Sequence, residues 1–409
     1  MIRKKHIAFF IAILLSIGVY FLFFQKDKNL KYIPENADIV VLLDVKKATR
    51  QYISSFITHP SKWFEEGKKD KNKISIKNSG LEIPDFLQVF HLKKTKISEW
   101  YAILEIDDQE KFSAFLKNRQ FVNDGKDRFK NSQFFIKIEG EKCIVGTSNL
   151  NFDNIGKAFS QKFRNNKLNA DSFIKDGLGS ISFISELRTQ NFSINLNDDE
   201  IEIKNEGNAI DFESLISDLE KKTQFLQSEL DSENIKKISS FFNENLNDSL
   251  SVNSLKMSAN LSEVNDTIIS YGYDDNFNEI EKISYQKIVQ PDYEILLQTS
   301  NPEKTWSYFQ NKKWITAQNQ FTAIPFQPNL ISKNGNQILI KSTRESDKVE
   351  ENKNQNFVFV KNNPLLFSSF KTLNNPIFKN IEYIFYGNKN QDYSVKIKFK
   401  KDKYPLILR

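Results

Sequence analysis

Some serine–lysine pairs have the spacing of a serine nucleophile with its base. Ser284-Tyr-Gln-Lys287 and Ser368-Ser-Phe-Lys371 both read Ser-x-x-Lys. In penicillin-interacting enzymes this spacing lets a lysine deprotonate a serine, with Ser-Asp-Asn and Lys-Thr-Gly segments completing the site. Neither partner segment occurs here, so both matches read as coincidence in a Ser- and Lys-rich chain. Histidine is scarce: His6, His59 and His91. Without a His-x-x-x-His or a cysteine pair, a transition-metal site is not expected. A Ser-His-Asp triad would need one of these histidines and a Gly-x-Ser-x-Gly elbow, which is missing. Asp107-Asp108 and Asp198-Asp199-Glu200 lack the spaced oxygen ligands of a calcium loop, and read as a helix cap and a turn. Gly177-Leu-Gly179-Ser lacks the third glycine of a dinucleotide loop and precedes a strand. No catalytic, cofactor-binding or metal-ligating residue is therefore assigned, and no cofactor is expected.

The elements that would position any site begin with an apolar one. Ile7 to Phe24 run 18 positions without a charge, amide or proline, and Arg3, Lys4 and Lys5 precede them. About 20 such residues cross a bilayer as a helix. A small-residue cleavage site at Ser16-Ile17-Gly18 would leave Val-Tyr-Phe-Leu-Phe-Phe as the new N-terminus, so an uncleaved anchor is expected. Val19 stands where a lipoprotein would have its acylated cysteine, and the single Cys143 also excludes an intrachain disulfide. Cys143 itself, in Lys142-Cys143-Ile144-Val145, reads as a buried small hydrophobe. The basic leading tail favours tail inside and domain outside.

The formal charge is +6, but residues 1–31 carry six basic side chains and one acid. The rest of the chain is nearly neutral and lacks the electrostatic footprint of a nucleic-acid binder. The basic excess belongs to the membrane boundary. The 36 phenylalanines fit either ordinary cores or an aromatic-lined groove.

Beyond the anchor the pattern is α+β. Ile39 to Asp44, Trp100 to Ile106, Gln133 to Ile138, Lys142 to Gly146 and Ser180 to Ile184 read as strands. Phe192 to Leu196 and Ile201 to Lys204 alternate around a turn, as a hairpin with one wet face does. Ala48, Tyr52, Phe56 and Ile53, Ile57 recur at helical spacing. A short helix is expected after Pro84, one capped by Asp107-Asp108, and one from about Phe152 to Phe163. Asp211 to Leu230 reads as a long amphipathic helix, followed by a second through Ile235, Ile238 and Phe241. Then the plan repeats. Tyr293 to Gln298 is a strand, Asn301-Pro302-Glu303 opens a helix, and Gly335 to Thr343 matches Gly140 to Ser148. An ancient duplication follows from this rhythm.

The expected organisation is a tail (1–6), a transmembrane anchor (7–24), a linker (25–35), a first α+β half (36–205), a helical connector (206–250) and a second α+β half (251–409). Both halves should be mainly antiparallel sheet with packed helices.

The opening, with Tyr32-Ile-Pro-Glu-Asn-Ala-Asp-Ile-Val-Val-Leu-Leu-Asp44 after the anchor, resembles uncharacterised single-span bacterial envelope proteins that begin with a signal anchor and a Pro-x-x-Ala-Asp strand. The resemblance covers residues 1–44 and carries over no catalytic residue. It implies an inner-membrane location with the large domain on the extracytoplasmic side, and a non-enzymatic role. The expected partners are the membrane, through residues 7–24, and another envelope protein. The alternative is a carrier of an apolar, lipid-like ligand lined by Phe112, Phe115, Phe134, Phe135, Trp306, Phe309, Phe357 and Phe359. A hydrolase with an unadvertised site ranks below both.

Overall fold

The computed structural model describes residues 24–58, 74–132, 134–160, 168–185, 188–205, 212–241, 251–324, 329–342, 355–369, 376–401 and 403. All of the apolar run but Phe24 lies outside these residues, as do His6, His59 and Lys371. No helix among the described residues is long and apolar enough to cross a membrane. The fold is α+β, dominated by antiparallel sheet, and divides into two compact units: Met1–Glu206 with Tyr404–Arg409, and Gly207–Lys403.

The first unit contains β1 (Asn29–Leu30), β2 (Ala37–Asp44), α1 (Val45–Thr58), β3 (Phe86–Leu92), β4 (Trp100–Glu105), α2 (Gln109–Asn118), β5 (Val122–Asn123), β6 (Arg128–Lys130), β7 (Phe135–Glu139), β8 (Lys142–Gly146), α3 (Phe152–Ser160), β9 (Leu168–Asn169), β10 (Gly179–Ile184), β11 (Thr189–Leu196) and β12 (Glu200–Asn205). Its sheet runs β5-β6-β7-β8-β4-β3-β2-β10-β11-β12, every neighbour antiparallel. Val40, Leu42, Phe90, Tyr101 and Phe152 form one apolar cluster. Phe112, Leu116, Ile136 and Cys143 form another.

The second unit contains α4 (Glu213–Glu220), β13 (Leu226–Asp231), α5 (Ser232–Phe241), β14 (Val252–Tyr273), β15 (Glu279–Thr299), α6 (Pro302–Asn311), β16 (Gln320–Phe321), β17 (Asn329–Asn334), β18 (Gln337–Lys341), β19 (Asn356–Lys361), α7 (Pro364–Ser369), α8 (Pro376–Asn380), β20 (Ile381–Lys389) and β21 (Asp392–Phe399). Its order is β16-β17-β18-β15-β14-β13-β19-β20-β21, again antiparallel throughout.

Two helices illustrate how the sequence builds these units. Asp108 caps α2 by accepting from the Lys111 amide at 3.0 Å, and Phe112 and Leu116 turn one face inward. The helix closes on Gln120, held at φ +59°, with the Phe121 amide returning to the Leu116 carbonyl at 2.9 Å. In α6, Asn301 accepts from the Lys304 amide at 2.9 Å, and Thr305 and Phe309 face inward. That helix closes on Lys313 at φ +58°, with the Trp314 amide on the Phe309 carbonyl at 2.9 Å. Both stops use a side-chain-bearing residue where glycine is the usual choice.

Four segments depart from the sequence reading. Asp211 to Leu230 is not one helix: α4 ends at Glu220, and Leu226–Asp231 is a strand inserted between β14 and β19. Pairing on both sides outweighs the helical spacing of the leucines. The segment after Pro84 is likewise strand β3. Residues 25–35 do not form a free linker. Asn29–Leu30 pairs with Leu168–Asn169, and Leu30 and Ile33 are buried. Finally, Tyr293 to Gln298 is only the base of a 21-residue strand, β15.

That strand and β14 make a long arm. β13 pairs with β14 only as far as Ala259, and β18 pairs with β15 from Glu294 onward. From Asn260↔Asp292 to Tyr273↔Glu279, β14 and β15 pair continuously with each other beyond those flanking ladders. At about 3.4 Å per residue the arm is about 45 Å long. Ile269, Tyr271 and Tyr273 share one face with Ile283 and Tyr285, by their cross-strand registers. Tyr271, Tyr273 and Tyr285 are 68%, 70% and 74% exposed.

Candidate functional site

The first unit holds a cleft of about 160 Å³ where the carboxylates of Asp27, Glu82, Asp85 and Glu105 converge beside Lys31 and Tyr32. The backbone assembles it. Leu81 bridges to Ile106, and the Glu82 amide donates to the Glu105 carbonyl at 2.9 Å, so residues far apart in sequence become neighbours. The turn before them needs Gly80. Its φ is +81°, and a Cβ there would stand 2.3 Å from the Asp108 carbonyl oxygen.

The cleft's groups hold one another. The Tyr32 hydroxyl donates to Glu105 Oε1, and the Tyr32 amide donates to Gln88 Oε1 at 3.0 Å. The Asp27 amide donates to Asp85 Oδ2 at 2.7 Å, while Asp85 Oδ1 pairs with Lys46 at 2.9 Å. Asp27 Oδ1 accepts from the Asn29 amide at 3.0 Å. Lys26 pairs with Asp44, and Lys28 with Asp171 at 2.7 Å. The strand of chain leaving Phe24 is thus tied to the sheet by carboxylates.

Electrostatics separates the two glutamates. A hydrogen bond with Glu105 raises the Glu82 carboxyl above its ordinary value. The Tyr32 hydroxyl lowers that of Glu105, and burial together with Glu105 raises the phenol. Of the two, Glu82 therefore keeps its proton to higher pH than Glu105 does. The linkage signs are opposite. The Glu105 contribution is present above its unfolded value and lost as pH falls through its depressed one. The Glu82 contribution is present below its unfolded value and lost as pH rises through its raised one. Both groups are largely solvated, so the effect belongs to titration rather than to global stability. Tyr32→Phe is expected to bring the two carboxyl titrations together, read by NMR of the side-chain carboxyls. An unmoved Glu105 would contradict the assignment.

A pair of carboxyls sharing a proton can exchange protons with a substrate. This cleft is smaller than the roughly 300–1,000 Å³ of ordinary ligand sites. Its carboxylates are also spent on amides, a phenol and lysines. Chemically it is a polar seam.

The residues singled out from sequence lie elsewhere. Ser284 and Lys287 sit on β15, where residues three apart point to opposite faces, and Lys287 pairs with Glu263 at 2.5 Å. His91 is buried, with Nδ1 2.7 Å from Asp38 Oδ1 and Nε2 2.9 Å from the Lys96 carbonyl. Both nitrogens are therefore engaged by structural partners. Cys143 is fully buried, and burial pushes its thiol up to about 12. Asp108 is a cap, and Asn197 spans the turn to Glu200 at 2.7 Å. No group of three or more His, Cys, Asp or Glu able to hold a metal occurs among the described residues. The eight aromatics proposed to line a groove do not share one lining. Phe112 and Phe115 pack in one cluster, Trp306 and Phe309 in a second, Phe357 and Phe359 in a third, and Phe135 against a fourth, while Phe134 is exposed.

No family model matches the chain, and no curated protein matches it. Two solved structures of TP0453, crystal forms III and I, align over 78% of this chain and 93% and 92% of theirs, at 10% identity. Their TM-scores are 0.23 and 0.21, too low to carry an argument about fold or function.

Proposed function

We propose that this chain is a single-pass, non-catalytic protein of a bacterial cell envelope, held by residues 7–24, that binds another protein through its arm. The arm carries the reading. A two-stranded ribbon on its own is marginally stable in water, and exposed tyrosines and isoleucines along one face are the side chains that interfaces favour. Asn260 to Asp292 contain seven acidic and two basic residues. That charge repels anionic headgroups and suits a partner protein with a basic rim. Duplication of one α+β unit, with the arm grown from the hairpin that is short in the first copy, accounts for the matched strand orders and helix stops.

The experiment joins location to contact. A reporter fused after Arg409 is expected to be active only outside the cytoplasm. In the same cells, a photo-crosslinking residue at Tyr271 should give a discrete adduct, and one at Ser270, on the opposite face, should not. A cytoplasmic reporter would remove the location. Equal labelling from both faces would remove the specific partner.

A further inference from the structure

Helix α1 leaves apolar side chains on its outer face. Gln51 and Ser55 are half-buried on the side toward the sheet, and the Gln51 amide reaches the Leu196 carbonyl. Ile53 and Ile57, on the other side, are 38% and 69% exposed. Tyr52 and Phe56 flank them at helical spacing, and the helix contains no acidic residue. A helix on a soluble domain normally turns its apolar residues to the core; here Ile53 and Ile57 face away from it.

The place where the apolar run ends says what covers these residues. Phe24 is the last residue of the run, and the Arg50 guanidinium lies 4.7 Å above its ring. Lys46 donates to the carbonyl of Gln25. The chain therefore leaves the apolar run alongside α1, and the ties of Lys26, Lys28 and Asp27 described above keep it there. We infer that α1 lies in the membrane interface beside the anchor, with Ile53 and Ile57 among the acyl chains. The lysines near it are already engaged: Lys46 with Asp85, and Lys47 with the carbonyls of Asp176 and Gly177. Apolar burial drives the contact, so it forms on a neutral phosphatidylcholine surface as well as on an anionic one. This inference rests on the anchor reading.

The test uses the full chain reconstituted in phosphatidylcholine vesicles. Single cysteines replace Ile53, Ile57, Ser54 and Thr58, each carrying an environment-sensitive dye; Cys143, fully buried, stays unlabelled. An interfacial helix sinks its apolar face about 5–10 Å into the headgroup boundary, so a nitroxide high on the acyl chain should quench positions 53 and 57 at least twofold more than 54 and 58. Circular dichroism of each variant guards against misfolding. A dye at 57 that is shielded from water yet untouched by the nitroxide would mean that the chain covers this face itself, and would overturn the inference. So would quenching without helical period. Alkaline carbonate extraction separates the two readings. Protein that stays in the membrane with an unquenched helix loses only the interfacial contact, and protein that washes off loses the anchor as well.

Discussion

Truncating Tyr271, Tyr273 and Tyr285 together to alanine is expected to abolish the contact made by the arm. A crosslinker at Ile283, on the same face, should then lose at least about tenfold of its adduct, because an interface tyrosine typically contributes about 2 kcal/mol when central. The fold should not change. These side chains lie beyond the ladders of β13 and β18, and each is mostly exposed. A thermal melt unchanged from the parent, together with a lost adduct, is the expected pair of results. An undiminished adduct would show that the arm is not the contact surface.

The largest expected loss of stability lies in the second unit. Phe359 is fully buried in β19, its ring 5.2 Å from that of Tyr383 and clustered with Phe212, Leu219 and Phe385. Phe359→Ala removes that packing and leaves a cavity, at a cost of about 3–5 kcal/mol in urea denaturation. Phe277 at the arm's tip is 86% exposed, and its alanine variant should fall within about 0.5 kcal/mol of the parent. Similar losses at both positions would mean that the tip is packed against something.

What the sequence made legible were elements whose side chains repeat. Ile39 to Asp44, Trp100 to Glu105 and Lys142 to Gly146 are strands in which apolar residues, several of them β-branched or aromatic, fill most of the buried positions. Asp108 by its type, and Pro302 by its place near the first turn, announced their helices. Leu226 and Leu230 misled, since a spacing of four fits a helix and also the alternate positions of a strand. The outer arm left no mark because both its faces are wet and no apolar run is needed. The Glu82–Glu105 pair was invisible for another reason. A bridge between Leu81 and Ile106 creates it, and no spacing in the chain encodes that contact.

The shared strand order has a consequence for how the chain folds. Two units built alike offer each other the wrong partners: β8 and β18 hold the same place in their sheets and have similar apolar patterns. Misassembly of this kind is a recurrent hazard of repeated domains. Timing on the ribosome lessens it. The last strand of the first unit ends at Asn205 in a chain of 409 residues. At about 5–20 residues per second, synthesis of the remainder takes about 10–40 s. Sheet domains fold in about milliseconds to seconds. The first unit can therefore close its ladders before the competing strands of the second exist.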